Sequence, residues 1–101
     1  MRIPAHPGKL LAMELKARKL SATRLALEIG VPANRVTAIV KGERAITPDT
    51  ALRLGRYFGT GPELWANMQT RHDLGAARAR LDKEIERTVR PAPAAGMRAR
   101  G

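Results

Sequence analysis

Cysteine is absent from the 101 residues, which excludes disulfides and thiolate metal ligation. Histidine is limited to His6 and His72, and serine to Ser21. Neither histidine has clustered Asp, Glu or Cys around it, so both read as surface histidines. No metal site, no catalytic residue and no cofactor is assigned. There is no Gly-rich phosphate loop. Aromatic residues make up 3% of the chain, too few for the stacking surface of a single-stranded RNA reader. No apolar run approaches the roughly 20 residues that span a bilayer. The opening MRIPAHPG lacks the apolar centre of a secretory signal. These absences point to a protein of the reducing cytoplasm, with no membrane partner.

Acidic residues are also scarce, nine against 19 Lys and Arg, for a net charge of +10. The excess is uneven. Residues 1–60 hold 11 basic and four acidic side chains, residues 61–89 hold five of each, and residues 90–101 hold three arginines and no acid. A basic head, a neutral segment and a basic tail suggest a polyanion-binding face with a separate protein-facing part. The plainer alternative is basicity for solubility alone.

What is present is helical patterning, and it centres on Ser21 to Ile46. Ser21 is an N-cap, with Leu20 before it as a hydrophobic staple. The spacing predicts a helix over 22–29, with Leu25, Ala26 and Ile29 on one face. Gly30 closes it, Val31 plugs the gap, and Pro32 suits the start of a second helix. That helix turns Val36, Ile39 and Val40 inward, and Ala33, Asn34, Arg35, Thr37 and Lys41 outward. Ala26, Gly30, Val36 and Ile39 have helix-turn-helix spacing. An ordinary αα-hairpin with a solvated outer face is the alternative.

Around this centre, a helix is predicted from Gly8 to about Arg18, with Leu11 and Leu15 on one stripe and Leu10, Met13 and Ala17 on another. The second stripe reads either as half-exposed surface or as a partner surface. Thr47-Pro48-Asp49 opens the next helix, whose buried side is read as Ala51, Leu52, Leu54, Tyr57 and Phe58, and Gly59 stops it. Thr60 and Glu63 have the spacing of a capping box before a helix carrying Leu64, Trp65 and Met68. Trp65 reads as core in preference to a dimer contact. Asp73 is expected to cap a last helix, from Leu74 to about Val89. The expected fold is therefore all-α: a DNA-binding domain over 1–72, a further C-terminal helix over 73–89, and a disordered basic tail over 90–101.

Several motifs agree in order and spacing with one family. They are His6-Pro7-Gly8, Gly30-Val31 with Asn34-Arg35, Ile46-Thr47, Arg56-Tyr57-Phe58-Gly59-Thr60, and Pro62-Glu63 followed by Trp65 and Gln69. Over about residues 6–80 the chain resembles the HigA-type antitoxins of the Xre, lambda-repressor-like helix-turn-helix class. The resemblance implies a five-helix DNA-binding domain, usually dimeric, that represses its own operon and neutralises a RelE-like mRNA-cleaving toxin. The same domain also occurs in stand-alone transcriptional regulators. A small basic reading frame immediately upstream would favour the antitoxin. The family commonly carries Ser and Pro where this chain has Pro32 and Ala33, which removes a side-chain cap from the second helix of the motif.

Laid in a major groove, that helix offers Arg35 to guanine, Asn34 to adenine or a phosphate, and Thr37 to a thymine methyl, with Ala33 beside them. Ser21, Thr23, Arg24, Lys41 and Arg44 are the candidate phosphate contacts. One such module holds DNA weakly, so a homodimer on a palindromic operator in the nucleoid is expected. Its contact would lie in the neutral segment, through Leu64, Met68, Leu74, Leu81 and Ile85.

Overall fold

Glycine and proline mark most of the helix boundaries. The computed structural model describes residues 2–94. Those residues form α1 (Gly8–Ala17), α2 (Ala22–Ile29), α3 (Ala33–Val40), α4 (Pro48–Phe58) and α5 (Pro62–Thr88), with no strand among them. The helix-turn-helix reading holds. Residues 95–101, most of the expected disordered tail, lie outside the described residues.

The Ser21 hydroxyl accepts the Arg24 amide at 3.0 Å, and Gly30 ends α2 in the left-handed conformation. Val31 then donates its amide to the Ala26 carbonyl at 3.0 Å, so the turn closes back on the helix it leaves. Gly42 does the same for α3: its amide reaches the Ile39 carbonyl and that of Glu43 reaches Ala38. Thr47 caps α4, with Pro48 at its first position. Pro32 takes the N-cap position of α3, and no side chain caps that helix.

Leu11, Leu15, Leu25, Ile29, Val36, Ile39, Ile46, Leu54 and Trp65 build one core between the helices. α1 crosses α3 at Gly8, where any Cβ would overlap the Ile39 carbonyl. Trp65 is completely buried, the core position the sequence favoured. On α1 the Leu11 and Leu15 stripe is buried, whereas Met13 and Ala17 are exposed. Leu52 and Tyr57, expected on the inner side of α4, are also exposed, because Ala51, Leu54 and Gly55 make that contact.

Two predicted helix starts are corrected. Thr60 does not cap α5: its hydroxyl accepts the Trp65 indole N–H at 3.0 Å and donates to the Gly61 carbonyl. Gly61 holds the N-cap position instead. Asp73 caps nothing either. α5 runs through it for 27 residues, so the expected additional helix is the second half of α5. The Asp73 carboxylate accepts the Gln69 amide N–H at 3.0 Å, and Gln69 Oε1 accepts the buried Ile46 amide at 2.8 Å. A polar side chain that finds a partner one turn away in its own helix is satisfied there and need not end the helix.

Gln69 thus pins the loop between α3 and α4 to α5. Gln69→Leu leaves the Ile46 amide buried without a partner and is expected to cost about 1–3 kcal/mol. Urea unfolding followed by circular dichroism measures this. An unchanged midpoint would show that the bond contributes nothing.

Candidate nucleic-acid interface

The outer face of α3 carries Ala33, Asn34 and Thr37, all exposed, and Lys41 and Arg44 are exposed just beyond it. The Thr37 hydroxyl is back-bonded to the Ala33 carbonyl at 3.3 Å, leaving its methyl for an apolar contact. Without a side-chain cap, the first amides of α3 are open to an anionic acceptor, which the helix dipole favours. On α2, Ser21, Thr23 and Arg24 are exposed; Arg24 pairs with Glu28 at 2.9 Å. Packing of α2 on α3 through Leu25, Ala26, Val36 and Ile39 holds the two sets in one unit. Among the described residues, no side-chain hydrogen bond or ion pair joins the α2 set, the α3 set and Lys41 or Arg44 to one another; the Lys41 amide donates to the Thr37 carbonyl at 3.1 Å at the end of α3.

Arg35 is not where the sequence placed it. It is three-quarters buried, turned from the outer face of α3 toward α4, with Nη1 3.6 Å from Asp49 Oδ2. Its Nε is buried without a hydrogen-bond partner among the described residues. Asp49 also receives Arg53 Nε, 3.2 Å from each carboxylate oxygen. Arg53 Nη1 in turn donates to the Ile29 carbonyl at 2.8 Å, at the end of α2. Sequence reasoning gave Asp49 only a dipole role and missed Arg53. The Asp49–Arg53 pair was legible from its four-residue helical spacing. The pairing of Arg35 with a residue 14 positions away was not.

The histidines are also corrected. Both are half-buried rather than free on the surface. His6 and His72 meet edge to face, with ring centroids 5.1 Å apart. His6 Nδ1 accepts the Gly8 amide at 2.9 Å, and His72 Nδ1 lies 2.8 Å from the Pro4 carbonyl. Burial, and then the neighbouring His72, hold the His6 pKa below the usual histidine value. The pair fastens the N-terminal segment along α5, where Gly75 leaves room for Pro4: a Cβ on Gly75 would come within 2.6 Å of the Pro4 ring.

α5 presents Leu74, Leu81 and Ile85 on one stripe, with Leu64 and the half-buried Met68 on a neighbouring one. Every residue from 78 to 94 is exposed. The second half of α5 therefore reaches past the core and does not fold back on it. Among the described residues, no helix is long and apolar enough to cross a membrane.

A helix-turn-helix family model matches residues 11–65. Virulence-associated protein I of Dichelobacter nodosus is 51% identical over 73 residues, covering 71% of this chain and 68% of that protein. The solved addiction module antidote protein of the HigA family from Coxiella burnetii superimposes with a TM-score of 0.85. It is 50% identical, over 91% of this chain and 100% of that one. The Pseudomonas aeruginosa antitoxin HigA, solved with the higBA promoter, gives a TM-score of 0.85 at 40% identity, over 89% of this chain and 99% of that one. The geometry of the motif, the matched family model and these two structures agree: the chain belongs to the HigA-type helix-turn-helix antitoxin family.

Proposed function

We propose that the protein is a sequence-specific DNA-binding antitoxin that acts as a homodimer. In this reading it grips a palindromic operator, represses its own operon and neutralises a RelE-like mRNA-cleaving toxin. The observation that carries the DNA reading is the exposed Ala33–Asn34–Thr37 face on the second helix of the motif, uncapped and set in a basic head. The solved Pseudomonas aeruginosa relative, a HigA bound with its promoter, supports it. Asn34 and Thr37 read base edges with Ala33 against them, while Ser21, Thr23, Arg24, Lys41 and Arg44 hold phosphates. Arg35 stands behind this face.

Homodimerisation uses the apolar stripe of α5. Its net charge is neutral, and its projecting half has no partner among the described residues, so an isolated amphipathic end gains stability by pairing. Two copies related by a two-fold axis set two α3 helices roughly 34 Å apart, in successive major grooves.

Asn34→Ala tests the reading. Affinity for the operator is expected to fall by about 1–3 kcal/mol, with relaxed preference at one base pair per half-site and little change on random duplex. Equal losses on both would place Asn34 among the phosphate contacts. Operator affinity no greater than random affinity in the wild type would end the proposal.

A further inference from the structure

Arg35, Asp49 and Arg53 form a chain of contacts that ties three parts of the motif together. Arg53 Nη1 donates to the Ile29 carbonyl at 2.8 Å and to that of Gly30 at 3.4 Å. These carbonyls lie where α2 ends, and helical bonding leaves such groups open. The same guanidinium holds the Asp49 carboxylate through Nε, and that carboxylate faces Arg35 on the first turn of α3. The turn after α2, the start of α4 and the start of α3 thus meet at one anion. Arg35 keeps its pose although its Nε has no partner among the described residues, so the pose is imposed by packing and by Asp49.

We infer that Asp49 is a positioning residue for DNA reading. Through Arg35 and Arg53 it fixes the rotation of α3 against α2 and α4, and so the direction in which Asn34 and Thr37 point. The inference rests on the proposed DNA-binding function. It makes a prediction opposite in sign to simple electrostatics. Asp49 is more than half exposed in a basic head. Removing its charge should by Coulomb attraction alone tighten binding to every duplex. A positioning role requires the selected sequence to bind more weakly while unselected DNA does not.

The test uses the full chain and two duplexes of equal length. One is selected by the wild type from a randomised pool roughly three helical turns long. The other is unrelated to it. Anisotropy titrations across a salt series are run well below each variant's Tm. Asp49→Asn is expected to lower affinity for the selected duplex by about tenfold. Affinity for the unrelated duplex should hold or rise, and the salt slope should stay the same because no phosphate contact is lost. Arg53→Lys keeps the charge but cannot hold Asp49 and the Ile29 carbonyl together, so it should give the same pattern. Combining Asp49→Asn with Arg35→Ala should cost less than the sum of the two single losses, because the two side chains share one contact. Equal tightening on both duplexes, or equal loss on both with an intact fold, overturns the inference. If the wild type selects no sequence from the pool, the DNA-reading proposal itself fails and the inference falls with it. Selection by the wild type, unchanged in Asp49→Asn, overturns the positioning role alone.

Discussion

Trp65→Ala is expected to remove about 3–5 kcal/mol of stability, out of roughly 5–14 kcal/mol for a domain of this size. Trp65 is fully buried, its ring is 5.8 Å from that of Phe58, and its indole N–H ends on Thr60 Oγ1. Phe58 in turn lies under the Arg18 guanidinium, 4.8 Å from its ring centroid. Alanine opens a cavity where α4, α5 and the end of α1 meet, and the rigid helix ends around it cannot close it. The Thr60 hydroxyl loses its donor as well. Trp65→Phe keeps most of the volume and loses the indole N–H, so it should cost about 1–2 kcal/mol. Thermal and urea unfolding by far-ultraviolet circular dichroism measure both, since the fluorophore is deleted. At about 4–8 °C per kcal/mol, the alanine variant should lose well over 10 °C in Tm. A loss no greater than that of Trp65→Phe would show that the cavity collapses and that Trp65 does not hold α5 to the domain.

Leu81→Glu is expected to split the proposed dimer while leaving the domain folded. Leu81 is 37% exposed and contributes nothing to the core, so its loss cannot unfold α1 to α4. In a paired α5 stripe, however, it would sit between Leu74 and Ile85 at spacings of seven and four residues, the repeat by which two helices interlock. A carboxylate there is either desolvated without a partner or forces the helices apart. Light scattering on the order of tens of micromolar should show the mass halved, and operator binding should fall because one half-site holds too few contacts. Far-ultraviolet circular dichroism should keep the transition of the core. The rival account gives the same stripe to a toxin and leaves the free protein monomeric. A wild-type monomer that binds operator as one unit per half-site would decide for the rival.

Helix boundaries set by local chemistry were legible in the sequence. Ser21, Gly30, Thr47, Pro48 and Gly59 act within one turn of their own position, through a cap bond, a left-handed φ or a missing amide. The inner faces of α2 and α3 were legible as well, because apolar residues at helical spacing have only one face to bury. The reading failed where a side chain had more than one chemistry open to it and a partner other than the expected one, near or distant in the chain, claimed it. Thr60 and Asp73 could each have capped a helix; Trp65 and Gln69 claim them instead. Arg35 has the periodicity of an outward residue, yet Asp49 draws it toward α4. Leu52 and Tyr57 looked as apolar as the core, but the approach of α4 leaves them outside. The sequence alone determined that a helix-turn-helix would form and which helix is proposed to read DNA, since both follow from short-range bonds and periodicity. Only the tertiary structure decided how α3 is oriented, because that depends on partners that chain folding brings together, and that α5 runs unbroken past the core, because Asp73 bonds within its own helix instead of capping a new one.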